Sequence, residues 1–405
     1  MHTKLWNRDY VLMLQGNAVS HLGDILYSVA IGYWVYETTG SSALMGVMSS
    51  ISMFMTMFIM PFSGSIVDKS DRKAIIVGMD ALRGILMLAV GALAFTRQLS
   101  VPVVLTAAVL ASVCSVFFSP AVSTLMIDLI PRTDMVRGQS IHSGITSGLS
   151  LVGKAVSGAL VAFAGVPLII TANGVSYLIS AATELFIHVP KTVHQGEKVT
   201  PKSVLKDMAV GLREIAGSPA LRLFITCAVI VNFLGAGPTT LMLPFVLEKG
   251  FTVDMYGYLM SIETAASLLC VCGLGVVKMS PKARYTALAT GFLSSGVFSI
   301  VAYATGNYTV MCVMLFLGCF ANTLGNGIFN AALMLALPEA NRGSVLGFVN
   351  AASTGGSALS AVVYGLLCDW FPIPLVFTAG TLLSAVPMVL MCLHRITREF
   401  ILENT

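Results

Sequence analysis

Asp24, Lys154 and Glu263 are charged residues that stand deep inside bilayer-crossing segments. Asp24 lies in "GNAVSHLGDILYS", where Asn17, His21, Asp24 and Ser28 follow at spacings of four, three and four, which is one helix face. A carboxylate at mid-membrane depth costs roughly 2.5–3.5 kcal/mol on the insertion scale, so its default reading is functional. The chemistry open to it is proton or cation exchange. His21, one turn away, is of the residue type that titrates near neutrality and could share that proton. Lys154 lies in "SGLSLVGKAVSGALVAF", about 4.5 Å to the outer side of the midpoint of its span at 1.5 Å per residue. An ammonium at that depth has to be neutral, in water or paired. Glu263 lies about 6 Å outward of the midpoint of its own span, within about 2 Å of the level of Lys154. The expectation is a Lys154–Glu263 ion pair, with Asp24 as the alternative partner, acting as a switch. A purely structural pair, or a lysine in a water-filled path, stays open beside it.

The elements that position these residues follow from composition. Of 405 residues 56% are hydrophobic and 10% charged, against about 25% charged in a soluble domain. This is an all-α membrane protein. Apolar runs long enough to cross the bilayer occur at 10–36, 42–63, 74–95, 101–126, 139–163, 166–188, 221–247, 255–278, 285–304, 309–336, 344–368 and 374–394. They fall into six-helix halves, 1–188 and 221–405, around a polar linker at 189–220 whose Val204, Met208, Leu212 and Ile215 share one face of an amphipathic helix. Two such halves are the arrangement of many secondary transporters. All but four of the 23 Lys and Arg (Arg83, Arg97, Lys154 and Lys249) fall in loops on one side. The positive-inside rule therefore puts both termini in the cytoplasm, in a cell membrane. The first span reads as a retained helix rather than a signal peptide.

Other chemistries find little support. The eight cysteines lie in or beside apolar runs without zinc spacing, and the histidines show no His-x3-His or Glu-x2-His pair. No Gly-x4-Gly-Lys-Ser/Thr loop for ATP is present. No cofactor, metal or nucleic-acid partner is expected, and neither is catalysis.

Polar stripes mark other spans: Ser112, Ser115, Ser119 and Ser123 toward Asp128 in span four; Ser143, Ser147, Ser150 and Ser157 beside Lys154 in span five; Asn322, Asn326 and Asn330 in span ten. Span seven offers Asn232 and the "GAGP" break at 235–238, a candidate gate. These stripes fit a water-accessible central path; the serines equally fit close helix packing. Asp80 and Arg83, at i and i+3 in span three, are expected to neutralise each other.

Between spans two and three stands "GSIVDKSDRK", with Gly64, Asp68, Lys69, Arg72 and Lys73. It resembles the signature loop of the major facilitator superfamily, with Asp71 where that loop has Gly. "MDALRGILM", "FFSPAVSTLMIDLIP" and "FNAALMLALPEANRGSVLG" resemble its macrolide and drug efflux branch. Two departures stand out: span four lacks the intramembrane Arg of many proton-coupled drug antiporters, and span five reads "GKAVSG" where exporters have Gly-Pro. The resemblance implies a monomeric exporter of small amphiphilic compounds, working by alternating access with proton antiport. A lysolipid or siderophore exporter of the same fold is the alternative. It also implies that Asp68 latches the cytoplasmic side against the start of span eleven, with Arg72 as auxiliary.

Overall fold

The computed structural model describes residues 5–131, 134–188, 212–213, 215–276, 279–336, 342–395 and 397. Its helices are α1 (Arg8–Thr39), α2 (Ser42–Lys69), α3 (Arg72–Phe95), α4 (Val101–Leu129), α5 (Met135–Glu184), α6 (Pro219–Thr240), α7 (Met242–Glu248), α8 (Val253–Val276), α9 (Pro281–Ala304), α10 (Tyr308–Ala336), α11 (Arg342–Trp370) and α12 (Ile373–Leu393). No strand occurs among the described residues. Helix is what hydrocarbon demands, because each backbone N–H and C=O is then satisfied inside its own segment.

Ten helices are long and apolar enough to cross a membrane. The 50-residue α5 is two crossings that meet at Gly165, whose φ of 76° is left-handed backbone open to glycine at little cost. That junction falls between the fifth and sixth expected spans. The 32-residue α1 reaches about 48 Å at 1.5 Å per residue, but Asn17, His21 and Asp24 lower its hydropathy, and it is not among the ten. With α6 and α7 as one broken crossing, the described helices make the twelve expected crossings.

The chain forms two compact units. The first comprises Met1–Gly40, Ile51–Pro201 and Thr252–Tyr258. Its core gathers Tyr10, Met13, Ile76, Leu125, Leu129 and Ile187. The Asn7 side chain caps α1 by accepting from Tyr10 N at 2.9 Å, and donates to Leu129 O at 2.9 Å. Asp71, the departure from the signature loop, is the N-cap of α3, accepting from Ala74 N at 3.2 Å. An N-cap carboxylate satisfies an orphan N–H and contributes about 1 kcal/mol.

The second unit comprises Ser41–Ser50, Lys202–Phe251 and Leu259–Thr405. Phe224, Leu288, Val345 and Cys392 are central to its core, which Ile215 of the linker joins; Val204 and Met208 lie outside the described residues. Asp369 at the end of α11 accepts from Ser42 N at 2.6 Å and Ser41 Oγ at 2.8 Å, which caps the start of α2. The break of span seven falls at Leu241 (φ −106°, ψ 19°), beyond "GAGP". Pro238 lacks the N–H that Leu234 O would accept, and the Tyr364 hydroxyl donates to that carbonyl instead. The helix therefore continues past its proline. Gly237 and Gly380 leave room for the Tyr364 ring, which a β-carbon at either would strike.

Candidate functional site

In the first unit α1 lies between the two arms of α5, and glycines set how near it comes. A β-carbon on Gly16 would sit 2.8 Å from Ser180 Oγ and 3.3 Å from Glu184 Oε1; one on Gly23 would strike the Asn173 side chain. On the other arm, a β-carbon on Gly153 would lie 3.1 Å from Leu22 and Ile25. Small residues at these crossings let polar side chains meet across a few ångströms of hydrocarbon depth.

Four charged groups meet there. Asp24 accepts a hydrogen bond from the Tyr177 hydroxyl. Asp80 and Arg83, 0% and 3% exposed, form the expected ion pair. Arg83 also donates to Ser115 Oγ and to the Tyr177 hydroxyl, each at 3.4 Å. Its guanidinium lies over the rings of Phe118 (4.3 Å) and Tyr177 (4.5 Å). Ser20 Oγ donates to Asp80 at 3.5 Å. Glu184, 1% exposed, accepts from Ser180 Oγ at 3.2 Å and interacts electrostatically with Asp80 and Arg83. Three carboxylates thus surround one guanidinium. An uncompensated charge in so apolar a place is costly, and one guanidinium does not balance three ionised acids.

The sequence-derived candidates divide. Asp24 belongs to this network. His21 Nε2 bonds to Ser150 Oγ at 3.0 Å, and Asn17 Nδ2 donates to His142 Nε2 at 3.3 Å, so both link α1 to the first arm of α5. Asp80 and Arg83 form their pair and hold more than each other, since Arg83 reaches Tyr177 as well. Lys154 is half-buried on α5; a β-carbon on Gly257 of α8 would lie 2.6 Å from its carbonyl oxygen, so the lysine rides beside the start of α8. Glu263 is half-buried further along α8, in the second unit. Asn232 donates to Ala228 O at 2.9 Å, and Asn326 to the Asn322 side chain at 2.8 Å; Asn232 and Asn326 are exposed.

Of the signature loop, Gly64, Asp68 and Lys69 belong to the backbone of α2, but the side chains of Asp68 and Lys69 lie outside the described residues, as does that of Ser344 at the start of α11. Arg72 is buried in an ion pair with Asp128 of α4; Lys73 is half-buried. Tyr177, Ser180 and Glu184 are the partners that the charge-by-charge reading passed over. Their signal was present: Asn173, Tyr177, Ser180 and Glu184 recur at helical spacing on one face of α5.

The described helices include ten long and apolar enough to cross a membrane, and α1, α3 and α5 bring buried, mutually neutralising charges together. The sequence matches the Major Facilitator Superfamily over residues 13–361, and the chain belongs to that family, which consists of transporters rather than enzymes. Among curated proteins it is 22% identical to the uncharacterized MFS-type transporter YfiS of Bacillus subtilis (strain 168), over 94% of this chain and 92% of that one. It is 24% identical to macrolide efflux protein A of Streptococcus pyogenes, over 56% of each chain. It is 22% identical to the multidrug efflux pump Tap of Mycobacterium bovis (strain BCG / Pasteur 1173P2), over 88% of this chain and 86% of the other. Its fold is that of the nucleoside transporter NupG (TM-score 0.70, 14% identity, 93% of this chain and 97% of that one).

Proposed function

We propose that this protein is a secondary transporter of the cell membrane that exports small amphiphilic, drug-like compounds by alternating access, driven by an inward flow of protons, with both termini cytoplasmic. The observation that carries the reading is the buried Asp24–Tyr177–Arg83–Asp80 network. An acid held at membrane depth beside a shared guanidinium can exchange a proton without stranding charge. Efflux relatives of macrolide and multidrug type support the cargo class. The test is purified protein in proteoliposomes under an imposed pH gradient, with a macrolide or ethidium as probe. Probe movement coupled to opposite proton movement is expected. Probe movement without protons would overturn antiport and favour a facilitator or flippase for lysolipids or siderophores.

Lys154 and Glu263 complete the reading as a switchable ion pair. Lys154→Glu and Glu263→Lys are each expected to cut transport about tenfold, within the 1–3 kcal/mol of a typical coupling. The double swap should regain at least part of it. Full activity in either single variant, or no rescue with Glu263 or with Asp24 as partner, ends the idea.

Asp68, with Gly64, Lys69, Arg72 and Lys73, is assigned the cytoplasmic latch, its carboxylate stabilised by the N-terminal dipole of a neighbouring helix. Asp68→Asn should lower turnover several-fold while expression and unfolding temperature stay as in wild type. Wild-type turnover would reduce the loop to a topology signal.

A further inference from the structure

We propose that Glu184 and Asp80 form a second proton-holding site, placed between Asp24 and the end of the unit where α1 begins and α5 ends, and that protons leave Asp24 through it. The inference rests on the antiport reading for its direction but not for its existence. Gly16, Ser20 and Asp24 follow at intervals of four on α1, about 6 Å per step at 1.5 Å per residue. Opposite them stand, in order, Glu184 with Ser180, then Asp80, then Tyr177 with Arg83. The three acids therefore form a ladder along one helix face. Beyond its lower rung, Asp9 accepts from His188 N at 3.0 Å, at the end that the basic loops assign to the cytoplasm.

The second observation concerns one atom. Glu184 is 1% exposed and its Oε2 has no hydrogen-bond partner among the described residues, while Oε1 is held by Ser180. The groups facing Glu184 are Asp80 and Arg83 from α3, Ser180 from α5 and the bare backbone of Gly16 from α1. Arg83 is already committed to Asp80 and leans on Tyr177. A carboxylate oxygen with no donor, in a group already carrying surplus negative charge, is the place for a proton. A proton adds to Oε2 and turns the carboxylate into an acid. The proton comes from Asp24, which returns to the carboxylate, and when Glu184 passes it on toward the cytoplasmic end Glu184 returns to the carboxylate as well, so charge and atoms balance.

Infrared spectroscopy of the purified full-length protein at neutral pH, with no cargo and no gradient, reads the site directly. Wild type is expected to show a protonated-carboxyl C=O band that is missing in Glu184→Gln and shifted in Ser180→Ala, which removes the bond to Oε1. A spectrum unchanged in either variant overturns the site. In proteoliposomes Glu184→Gln should slow proton-driven flux roughly tenfold, within the usual range of coupling energies, while downhill probe exchange stays as in wild type. Undiminished proton-driven flux overturns the relay. Because the infrared band needs no transport, a wild type that moves the probe without protons would overturn the antiport reading while the band still decides on the site.

Discussion

Asp24→Asn is expected to lower proton-driven transport roughly a hundredfold, near the upper end of a 1–3 kcal/mol coupling between two ligands. The amide keeps an oxygen to accept the hydrogen bond that Tyr177 gives Asp24, so the packing of α1 against α5 should survive. What it loses is the ability to exchange a proton. The variant is a permanent imitation of the protonated acid, and its downhill exchange of probe should continue at a rate that no longer varies with pH. Proton-driven transport that keeps the wild-type rate and pH profile would remove Asp24 from the mechanism.

Arg83→Gln should destabilise the protein by about 3–5 kcal/mol, the usual cost of stripping one partner from a buried ion pair. Arg83 is 3% exposed, and its removal leaves Asp80, at 0% exposure, without its cation. The ring contacts with Phe118 and Tyr177 vanish with it. Thermal unfolding in detergent is the measurement. The double variant Asp80→Asn/Arg83→Gln should regain most of the loss, since an amide pair leaves no unpaired charge. If Arg83→Gln unfolds at the wild-type temperature, the charge balance drawn for the site is wrong.

Much of this was legible in the sequence, and the exceptions share a cause. The spans were readable because hydrocarbon imposes length and apolarity on each segment separately. The turn at Gly165 was readable because two apolar runs met there. Asp24 and the Asp80–Arg83 pair stood out as charges in the wrong solvent. Glu184 did not, because an acid at the end of a span normally faces water, and its burial depends on Gly16 coming close. Nor did the position of the break between α6 and α7: Tyr364, 130 residues from Leu234, satisfies the Leu234 carbonyl that Pro238 strands. His21 sits one turn from Asp24 and interacts with it electrostatically, and its ring nitrogen also bonds to Ser150 on the other arm of α5, a partner that spacing along α1 does not show. Periodicity tells which residues share a face. It does not tell which neighbour each side chain on that face meets.

Antiport in this protein requires a proton held at Asp24 that cargo displaces. Purified protein in a weakly buffered detergent solution with a pH indicator tests it directly, with a macrolide added and its binding followed in parallel by thermal shift. The prediction is proton release on binding by wild type and none by Asp24→Asn. Binding without release in wild type, or equal release from Asp24→Asn, would contradict it.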